Sequence, residues 1–308
     1  MNWWYIFYLL VFPGLLFTAI LGLLVGWVDR KLSARVQFRV GPPILQNFYD
    51  FIKLLGKETI IVKDSIKSLF VLAPIVAFGV LVLVSTIIGV PLFFERGFNG
   101  DIFVVMYLLM IYSVMVIIGG GSTGNVYSSL GAGREIKLLL ADELAFILIC
   151  FVPIIKSGYV ISLDGIVNAQ SRVPFICSVS GVIAFVFGIL CVQAKMALPP
   201  FHIPEAETEI VEGPFMEYSG PLLGYWKLNQ YMMWVFYPFL LILLFLGGFR
   251  ADGLGILWFI LKYLGIVVLM VLIKNTNPRI RIDTAIKFFW RCAAPVAFVG
   301  VILAIYGV

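Results

Sequence analysis

Eight apolar stretches, each about as long as a helix needs to cross a bilayer, dominate this chain. They cover approximately residues 5–27, 69–93, 102–120, 138–156, 174–193, 218–247, 254–273 and 287–306. Hydrophobic residues make up 62% of the chain and charged residues only 13%, which leaves too few polar side chains to cover a water-soluble protein. We therefore predict an all-α, polytopic membrane protein with about eight transmembrane helices in a single membrane domain, residues 1–308.

Two of the stretches carry further information. The first begins with no basic segment and contains no cleavage site, so we expect it to remain in the mature protein as a span. The sixth is long enough to be tilted or broken, with Pro221 and Pro238 as the expected interruptions.

Lysine and arginine are distributed unevenly between the two sides of the predicted bundle. Of the 22, sixteen lie on the side reached after the first stretch, four on the opposite side (Arg96, Lys156, Arg172 and Arg250) and two, Lys227 and Lys262, within stretches. Because positive residues favour the cytoplasmic side, we predict cytoplasmic loops at 28–68, 121–137, 194–217 and 274–286, and both termini outside. The net charge of +5 then reflects topology and does not indicate a nucleic-acid partner.

Metal-binding patterns are missing from the sequence. Cys150, Cys177, Cys191 and Cys292 occur singly in apolar surroundings, and none forms a CxxC pair or lies near His202, the only histidine. These residues provide no ligand set for zinc, an iron–sulfur cluster or a nickel–iron centre. We expect no cofactor and no catalytic residue in this chain.

The first two predicted loops contain distinct patterns. The segment ILQNFYDFIKLLGKE, residues 44–58, places its apolar side chains on one helical face, which predicts an amphipathic helix on the cytoplasmic membrane surface. Its role as a simple anchor and its role as a docking surface for a partner are equally compatible with this pattern. The second loop, GGGSTGNVYSSLGAGRE, lacks the lysine of a phosphate-binding loop, and its glycines indicate a tight turn.

The third loop concentrates acids in an otherwise apolar region. Five glutamates lie between the fifth and sixth stretches or at the start of the sixth: Glu205, Glu207, Glu209, Glu212 and Glu217. After Pro204 a short helix is expected, on which Glu205, Glu209 and Glu212 share one face while Glu207 points away. Such a row fits either a proton relay or a solvated acidic face for basic partners, and the spacing alone slightly favours the second.

Other charges lie within or beside the apolar stretches, where each costs about 2.5–3.5 kcal/mol at a helix centre. They are Arg134, Asp142, Glu143, Glu217, Lys227 and Lys262. Lys262 lies deep in its stretch, and we expect it to pair with Glu217 or Glu143, either in an ion pathway or as a structural salt bridge. Arg279 and Arg281 follow the seventh stretch, where positive-inside anchoring explains them.

Five segments together carry a family resemblance: WVDRKLSARVQFRVGPP, LQNFYDFIKLLGKE, GAGREIKLLLADE, PPFHIPEAETEIVEGPFMEYSG and NPRIRID. In this order and spacing they resemble the membrane subunit of respiratory complex I that seats the redox arm. They are still more similar to its counterpart in energy-converting membrane-bound nickel–iron hydrogenases and in the related formate hydrogenlyase and sulfur-reducing complexes. The resemblance covers nearly the whole chain.

The resemblance implies eight transmembrane helices in a prokaryotic plasma membrane and no redox centre in this subunit. It implies hydrophilic redox-arm partners that resemble the large and small subunits of nickel–iron hydrogenases, with a ferredoxin-like subunit. Those partners would hold iron–sulfur clusters and a nickel–iron centre. The resemblance also implies antiporter-like membrane subunits and lipid as partners.

The family's acidic residues map onto particular positions of this chain. The acidic funnel corresponds to Glu143, Glu205, Glu207, Glu209, Glu212 and Glu217, with Arg134 nine residues before Glu143 as in the family pattern, and Lys262 matches a family lysine. We also expect Asp142, Lys195 and His202 to take part in ion coupling. The cations expected to face the redox arm are Arg30, Arg35, Arg39, Arg134, Arg279 and Arg281.

Three departures from the family pattern affect function. Asp142 adds an acid, Lys195 stands where many relatives have a glutamate, and His202 replaces an aspartate. Either the proton path is altered, or Lys195 pairs with the surplus acid at Asp142. The chain also lacks about half a dozen residues after RVGP that border the quinone chamber in complex I, which favours a relative that uses no quinone.

The sequence therefore indicates the arm-anchoring subunit of a ferredoxin-driven, hydrogenase-type complex that couples electron transfer to H⁺ or Na⁺ translocation. A quinone- or phenazine-reducing complex I subunit is one alternative. A free-standing ion transporter is another, which the lack of an inverted repeat disfavours.

Overall fold

The computed structural model describes residues 3–94, 96–171, 173–249 and 253–307. Within these ranges the chain forms helices and no β-strand. The α-helices are α1 (Trp3–Leu10), α2 (Leu15–Val36), α3 (Gln46–Leu55), α4 (Lys67–Phe94), α5 (Asp101–Gly121), α6 (Val126–Lys156), α7 (Leu163–Ala169), α8 (Val179–Lys195), α9 (Glu207–Ile210), α10 (Gly220–Phe245), α11 (Gly253–Thr276), α12 (Ile282–Phe288) and α13 (Ala294–Ile305). A π-helical turn, Phe289–Ala293, joins α12 and α13 into one continuous helix.

All eight predicted stretches are helical. Seven helical segments of the described chain are long and apolar enough to cross a bilayer: Trp3–Val36, α4, α5, α6, α10, α11 and Ile282–Ile305. The remaining stretch is α8, whose 17 residues rise about 26 Å, slightly less than a bilayer's hydrocarbon thickness of roughly 30 Å. A 3₁₀ turn, Phe175–Cys177, precedes it. The all-α polytopic fold is confirmed.

The helix break lies in the first stretch and not in the sixth. Residues 11–14 interrupt the helix between α1 and α2, because Pro13 has no N–H for the helical ladder. Its ring packs so closely on Gly89 that a Cβ there would lie 2.4 Å from Pro13 Cγ. In the sixth stretch Pro221 occupies the first turn of α10, where proline is tolerated, and the helix runs through Pro238 without a break. The expected interruption of the sixth stretch was therefore wrong.

Helix α10 forms the centre of the bundle. All of its residues from Met232 to Phe245 are buried, and it packs against α2, α3 and α4. A second group of helices surrounds α6, which contacts α5, α8 and α13, and the α4–α5 contact joins the two groups. The chain's charged side chains consequently have to fit between helices or at their ends.

One end of the bundle carries α3, α9 and the segments 122–125, 196–206 and 277–281, and we call it the basic end. The predicted amphipathic helix is present as α3, and its buried Asn47 donates to the Leu23 carbonyl of α2 at 2.8 Å. The predicted loop bounds need correction, because α2 continues to Val36 and α6 begins at Val126. Arg172 and Arg250, both predicted for the opposite end, lie outside the described residues, so the charge distribution there is not fully described.

Candidate ion-coupling site

The glutamate loop does not form the predicted helix. Its only α-helical part is α9, because Val211 adopts φ 61° and Gly213 φ 54°, which turn the chain immediately after Ile210. A side chain on Gly213 would meet the Pro204 carbonyl oxygen at 2.0 Å, so glycine is required at this turn. The expected common face of Glu205, Glu209 and Glu212 is therefore wrong.

The side chains of the loop separate into an inner and an outer group. Glu207, Glu209 and Glu212 are exposed, whereas Glu205 is partly buried and points into the bundle. Glu217 accepts a hydrogen bond from Asn125, the residue that caps α6. The five glutamates thus lie in different surroundings and do not act as one acidic surface.

On the outer side, Glu209 bridges two distant segments. Its carboxylate lies 2.6 Å from Arg134 Nη1 of α6 and 3.1 Å from Arg279 Nη2 of the α11–α12 connection. The hydrogen bond from Arg134 holds the pKa of Glu209 below its usual range. Two cations that we expected to face the redox arm therefore also fix the glutamate loop to the bundle.

On the inner side, Glu205 contacts α10. Gln230 donates to Glu205 at 3.0 Å, and Lys227 lies one turn earlier on the same helix. Burial raises the pKa of the Glu205 carboxyl to about 7, against the opposing effects of the Lys227 charge and the Gln230 hydrogen bond. A carboxyl with this pKa exchanges protons near neutral pH.

The imidazole of His202 contacts a backbone carbonyl. Its Nδ1 lies 2.6 Å from the Ala197 carbonyl oxygen, which indicates the tautomer with the proton on Nδ1. Burial lowers the pKa of the imidazole below its ordinary value. His202 is thus a hydrogen-bonding side chain in which burial disfavours the charged form.

Deeper in the bundle, Lys195 forms a buried cluster with two acids of α6. Its Nζ lies 2.6 Å from Glu143 Oε2 and 3.3 Å from Asp142 Oδ2. The side chains of Lys195 and Asp142 are only 4% and 2% exposed, and the ammonium lies 4.7 Å from the centre of the Phe146 ring. The pairing of Lys195 with the surplus acid Asp142 is confirmed, and Glu143 shares the same lysine.

Sequence reasoning missed Glu135, which connects this cluster to the glutamate loop. Glu135 is buried and, together with Lys195 and Glu205, lines a cavity of about 20 Å³. This volume accommodates about one water molecule. The signal was present in the sequence, because Glu135 precedes Asp142 by seven residues, two helical turns, and therefore shares its face of α6.

A larger chamber of about 410 Å³ lies on the other side of Glu205. Its charged and titratable lining comprises Asp29, Arg30, His202, Glu205, Glu207, Lys227, Tyr231 and Lys274. Asp29, which sequence reasoning did not single out, accepts hydrogen bonds from Lys274 at 2.8 and 3.0 Å. Glu205 and Gln230 border both cavities. A line of titratable groups thus leads from the chamber through Glu205 and Glu135 to Lys195.

Lys262 lies apart from this line. Its Nζ donates to the Leu246 carbonyl at 2.6 Å, at the C-terminal end of α10, whereas Glu217 immediately precedes the other end of that helix. Glu143 is occupied by Lys195. The expected pairing of Lys262 with Glu217 or Glu143 is therefore wrong.

Comparisons with known proteins identify the family of this chain. The family model described as NADH dehydrogenase matches residues 8–305. An NADH-quinone oxidoreductase subunit from Bacillus mycoides (strain KBAB4) is 31% identical, over 98% of this chain and 94% of the relative. The protein of the same name from Syntrophotalea carbinolica is also 31% identical, over 92% of this chain and 93% of the relative.

A solved structure shows the same fold. A chain in the structure of the membrane-bound sulfane sulfur reductase, an archaeal respiratory membrane complex, superposes with a TM-score of 0.84 at 26% identity. The match covers 94% of this chain and 96% of that chain. The fold and the buried charges thus define a multi-pass membrane subunit of a complex I-like respiratory complex. The chain belongs to the NADH dehydrogenase family and is similar to the two bacterial NADH-quinone oxidoreductase proteins along almost its whole length.

Proposed function

We propose that this chain anchors the redox arm of a ferredoxin-driven, hydrogenase-type complex and couples its electron transfer to H⁺ or Na⁺ translocation in neighbouring antiporter-like subunits. The observation that carries the proposal is the line of titratable groups from the chamber through Glu205 and Glu135 to Lys195. Ionisable side chains inside a membrane protein are expensive, and their arrangement along one path is typical of ion coupling.

The coupling step follows from the properties of Glu205. A charge change in the chamber alters the proton affinity of this carboxyl, whose pKa of about 7 leaves both protonation states accessible. Glu135 then receives or releases the proton across the small cavity, and the charge on Glu135 acts on the cluster of Lys195, Asp142 and Glu143. We expect that cluster to pass the change laterally toward the pumping subunits.

The basic end is suited to hold a soluble arm. Phe38 is 100% exposed and Val40 94% exposed, although both are apolar. Arg35 and Arg39, which are close to them in the sequence, are exposed. Arg281 is exposed on the same end of the bundle. Exposed apolar residues flanked by cations are typical of a surface that a partner covers. This supports arm docking at residues 35–40.

Two observations support the hydrogenase-type branch. The structurally similar chain belongs to a respiratory membrane complex that is named for sulfane sulfur reduction and not for quinone reduction. The connection between α2 and α3 is also short, covering only residues 37–45. We therefore place the iron–sulfur clusters and the nickel–iron centre of this proposal in partner subunits.

The test is to isolate the intact complex through a tag on this chain. The proposal predicts a copurifying large soluble subunit with four nickel-binding cysteines and hydrogen production from reduced ferredoxin. Purification of the chain alone as an active oligomer would instead support a free-standing transporter and contradict the proposal.

Reduction of a quinone or phenazine is a second candidate. The name shared by the two bacterial relatives favours it, as does the chamber of about 410 Å³, which falls in the range of small-molecule sites. Photolabelling of the complex with a quinone analogue separates the two candidates. Labelling at Tyr231 or Trp234, both in the chamber wall, would support this second candidate.

A further inference from the structure

A second cavity opens beside the chamber, between the amphipathic helix α3 and the start of α10. It has a volume of about 330 Å³, which is sufficient for a small ligand or a lipid headgroup. We call it the lysine groove, because Lys53, Lys57 and Lys227 line it. It lies at the basic end of the bundle, on the side predicted to be cytoplasmic.

The charges of the lysine groove are unbalanced. Its lining contains four cations, Arg30 and the three lysines, and one carboxylate, Asp50. Asp50 pairs with Arg30 at 3.1 Å. No ion pair or hydrogen bond joins a side-chain nitrogen of Lys53, Lys57 or Lys227 to another part of the described chain. The groove therefore has an excess of positive charge, contributed by α3, the residues that follow it and α10.

Apolar side chains form part of the groove wall. Phe51, Leu54 and Leu223 line it beside the lysines. On the adjoining face of α3, Ile52 is 62% exposed and Leu55 46% exposed, as expected for a helix that rests on lipid. A ligand in this groove contacts hydrocarbon on one side and ammonium groups on the other.

We propose that the lysine groove binds the phosphate headgroup of an anionic membrane lipid, with its acyl chains along Phe51, Leu54 and Ile52. Clustered lysines next to an interfacial helix attract anionic headgroups, and the apolar wall distinguishes a lipid from a free phosphate. Since Arg30, Lys227 and Tyr231 also line the chamber, the lipid closes the chamber toward the membrane. This inference does not depend on the redox chemistry of the complex.

The test measures lipid retained by the intact complex in nanodiscs of phosphatidylcholine with phosphatidylglycerol, by native mass spectrometry after detergent release. The double variant K53Q/K57Q is expected to lose affinity for phosphatidylglycerol roughly fivefold per lysine, about 25-fold in all. The variant K53R/K57R keeps the charge and should retain the lipid. The matched control K63Q/K67Q removes two exposed lysines of the same end that do not line the groove.

Equal loss of lipid in K53Q/K57Q and K63Q/K67Q would overturn the proposal, because it would show general attraction to a positive surface. Displacement of the lipid by millimolar inorganic phosphate alone would also overturn it and identify a free-anion site. A photoactivatable anionic lipid added to the wild-type complex gives a test without substitutions. Crosslinks at residues 50–57 and 223–231 are expected, and their absence would contradict the assignment.

Discussion

At the scale of single residues, Lys195 determines how the buried acids of α6 are tolerated. It stands where a carboxylate would add a third negative charge, and it instead neutralises part of the charge of Asp142 and Glu143. Its position in the last residue of α8 adds a favourable interaction with the helix dipole. Lys195 and Asp142 thus compensate each other's charge inside the bundle.

This pairing predicts a large effect of removing the lysine. Lys195→Met leaves two carboxylates without their cation in the bundle, and we expect a destabilisation of about 3–5 kcal/mol. The triple variant K195M/D142N/E143Q removes all three charges and should recover most of the loss. The stability of both variants is measured by heating the purified complex and monitoring the dissociation of this subunit. Wild-type stability of K195M would contradict the prediction, because it would show that the two buried carboxylates do not depend on Lys195.

Glu205 predicts a pH-dependent signal near neutrality. Because its folded-state pKa is raised from the ordinary value of 4.5 to about 7, the folded chain holds this proton at pH values where the unfolded chain has released it. The stabilisation that depends on this proton declines as pH rises from about 4.5 toward 7. Infrared spectra should show a protonated carboxyl band at pH 5.5 that is lost by pH 8.5 and is missing in E205Q.

The same spectra test the influence of Lys227. Its positive charge lowers the pKa of Glu205, so K227Q should move the midpoint of the band to higher pH. An unchanged midpoint would contradict the placement of Lys227 next to this carboxyl.

At the scale of elements, the glutamate loop is positioned by its contact with the first turns of α6. Gly131 allows Pro214 to approach closely, and Ser128 Oγ donates to the Pro214 carbonyl at 3.2 Å. The glycines of GGGSTGNVYSSLGAGRE predict a turn, but among those within residues 122–133 only Gly124, at φ 73°, has the backbone conformation of a turn glycine. Gly131 is a packing residue inside a helix.

This contact predicts opposite effects for two nearby glycines. A Cβ on Gly131 would lie 2.6 Å from Pro214 Cδ, whereas a Cβ on Gly133 meets nothing within 4 Å. Gly131→Ala should therefore displace the loop and cost about 1–3 kcal/mol. Gly133→Ala should be neutral or stabilising by up to about 1 kcal/mol. The measurement is amide hydrogen exchange of residues 199–217, which should be faster than in the wild type only in G131A. Equal exchange in the two variants would contradict the prediction.

Particular elements show what the sequence could and could not predict. Hydropathy and length located all eight stretches and α3, because burial in lipid constrains every residue of a span. The prediction that three glutamates share one helical face was wrong because the chain turns at Val211 and Gly213. The spacing of the acids does not indicate this turn. The pairing of Lys195 with Asp142 followed from charge balance, and the spacing of Glu135 from Asp142 was also visible in the sequence. The cavity that joins Glu135 to Glu205 could not be predicted, because it forms where α5, α6, α8 and α10 meet.

At the scale of the whole molecule, the chain connects the surface that we propose for arm docking to a buried charge cluster. The chamber and the small cavity meet at Glu205, and Glu135 and Lys195 line the small cavity. The outer bridge of Glu209 with Arg134 and Arg279 ties the loop to the bundle and keeps Glu205 in place. Movement of the redox arm at this surface would therefore reach the α6 acids through one loop.

The most direct test of coupling through Glu205 and Glu135 is to measure ion translocation per electron pair with the complex in sealed vesicles. E205Q and E135Q should assemble and transfer electrons at the wild-type rate while ion translocation falls roughly 100-fold, the contribution of a positioned proton-transfer group. E143Q should also lose translocation. E58Q, which alters an exposed glutamate with no expected part in ion coupling, is the control and should remain coupled. Full coupling in both E205Q and E135Q would contradict the account.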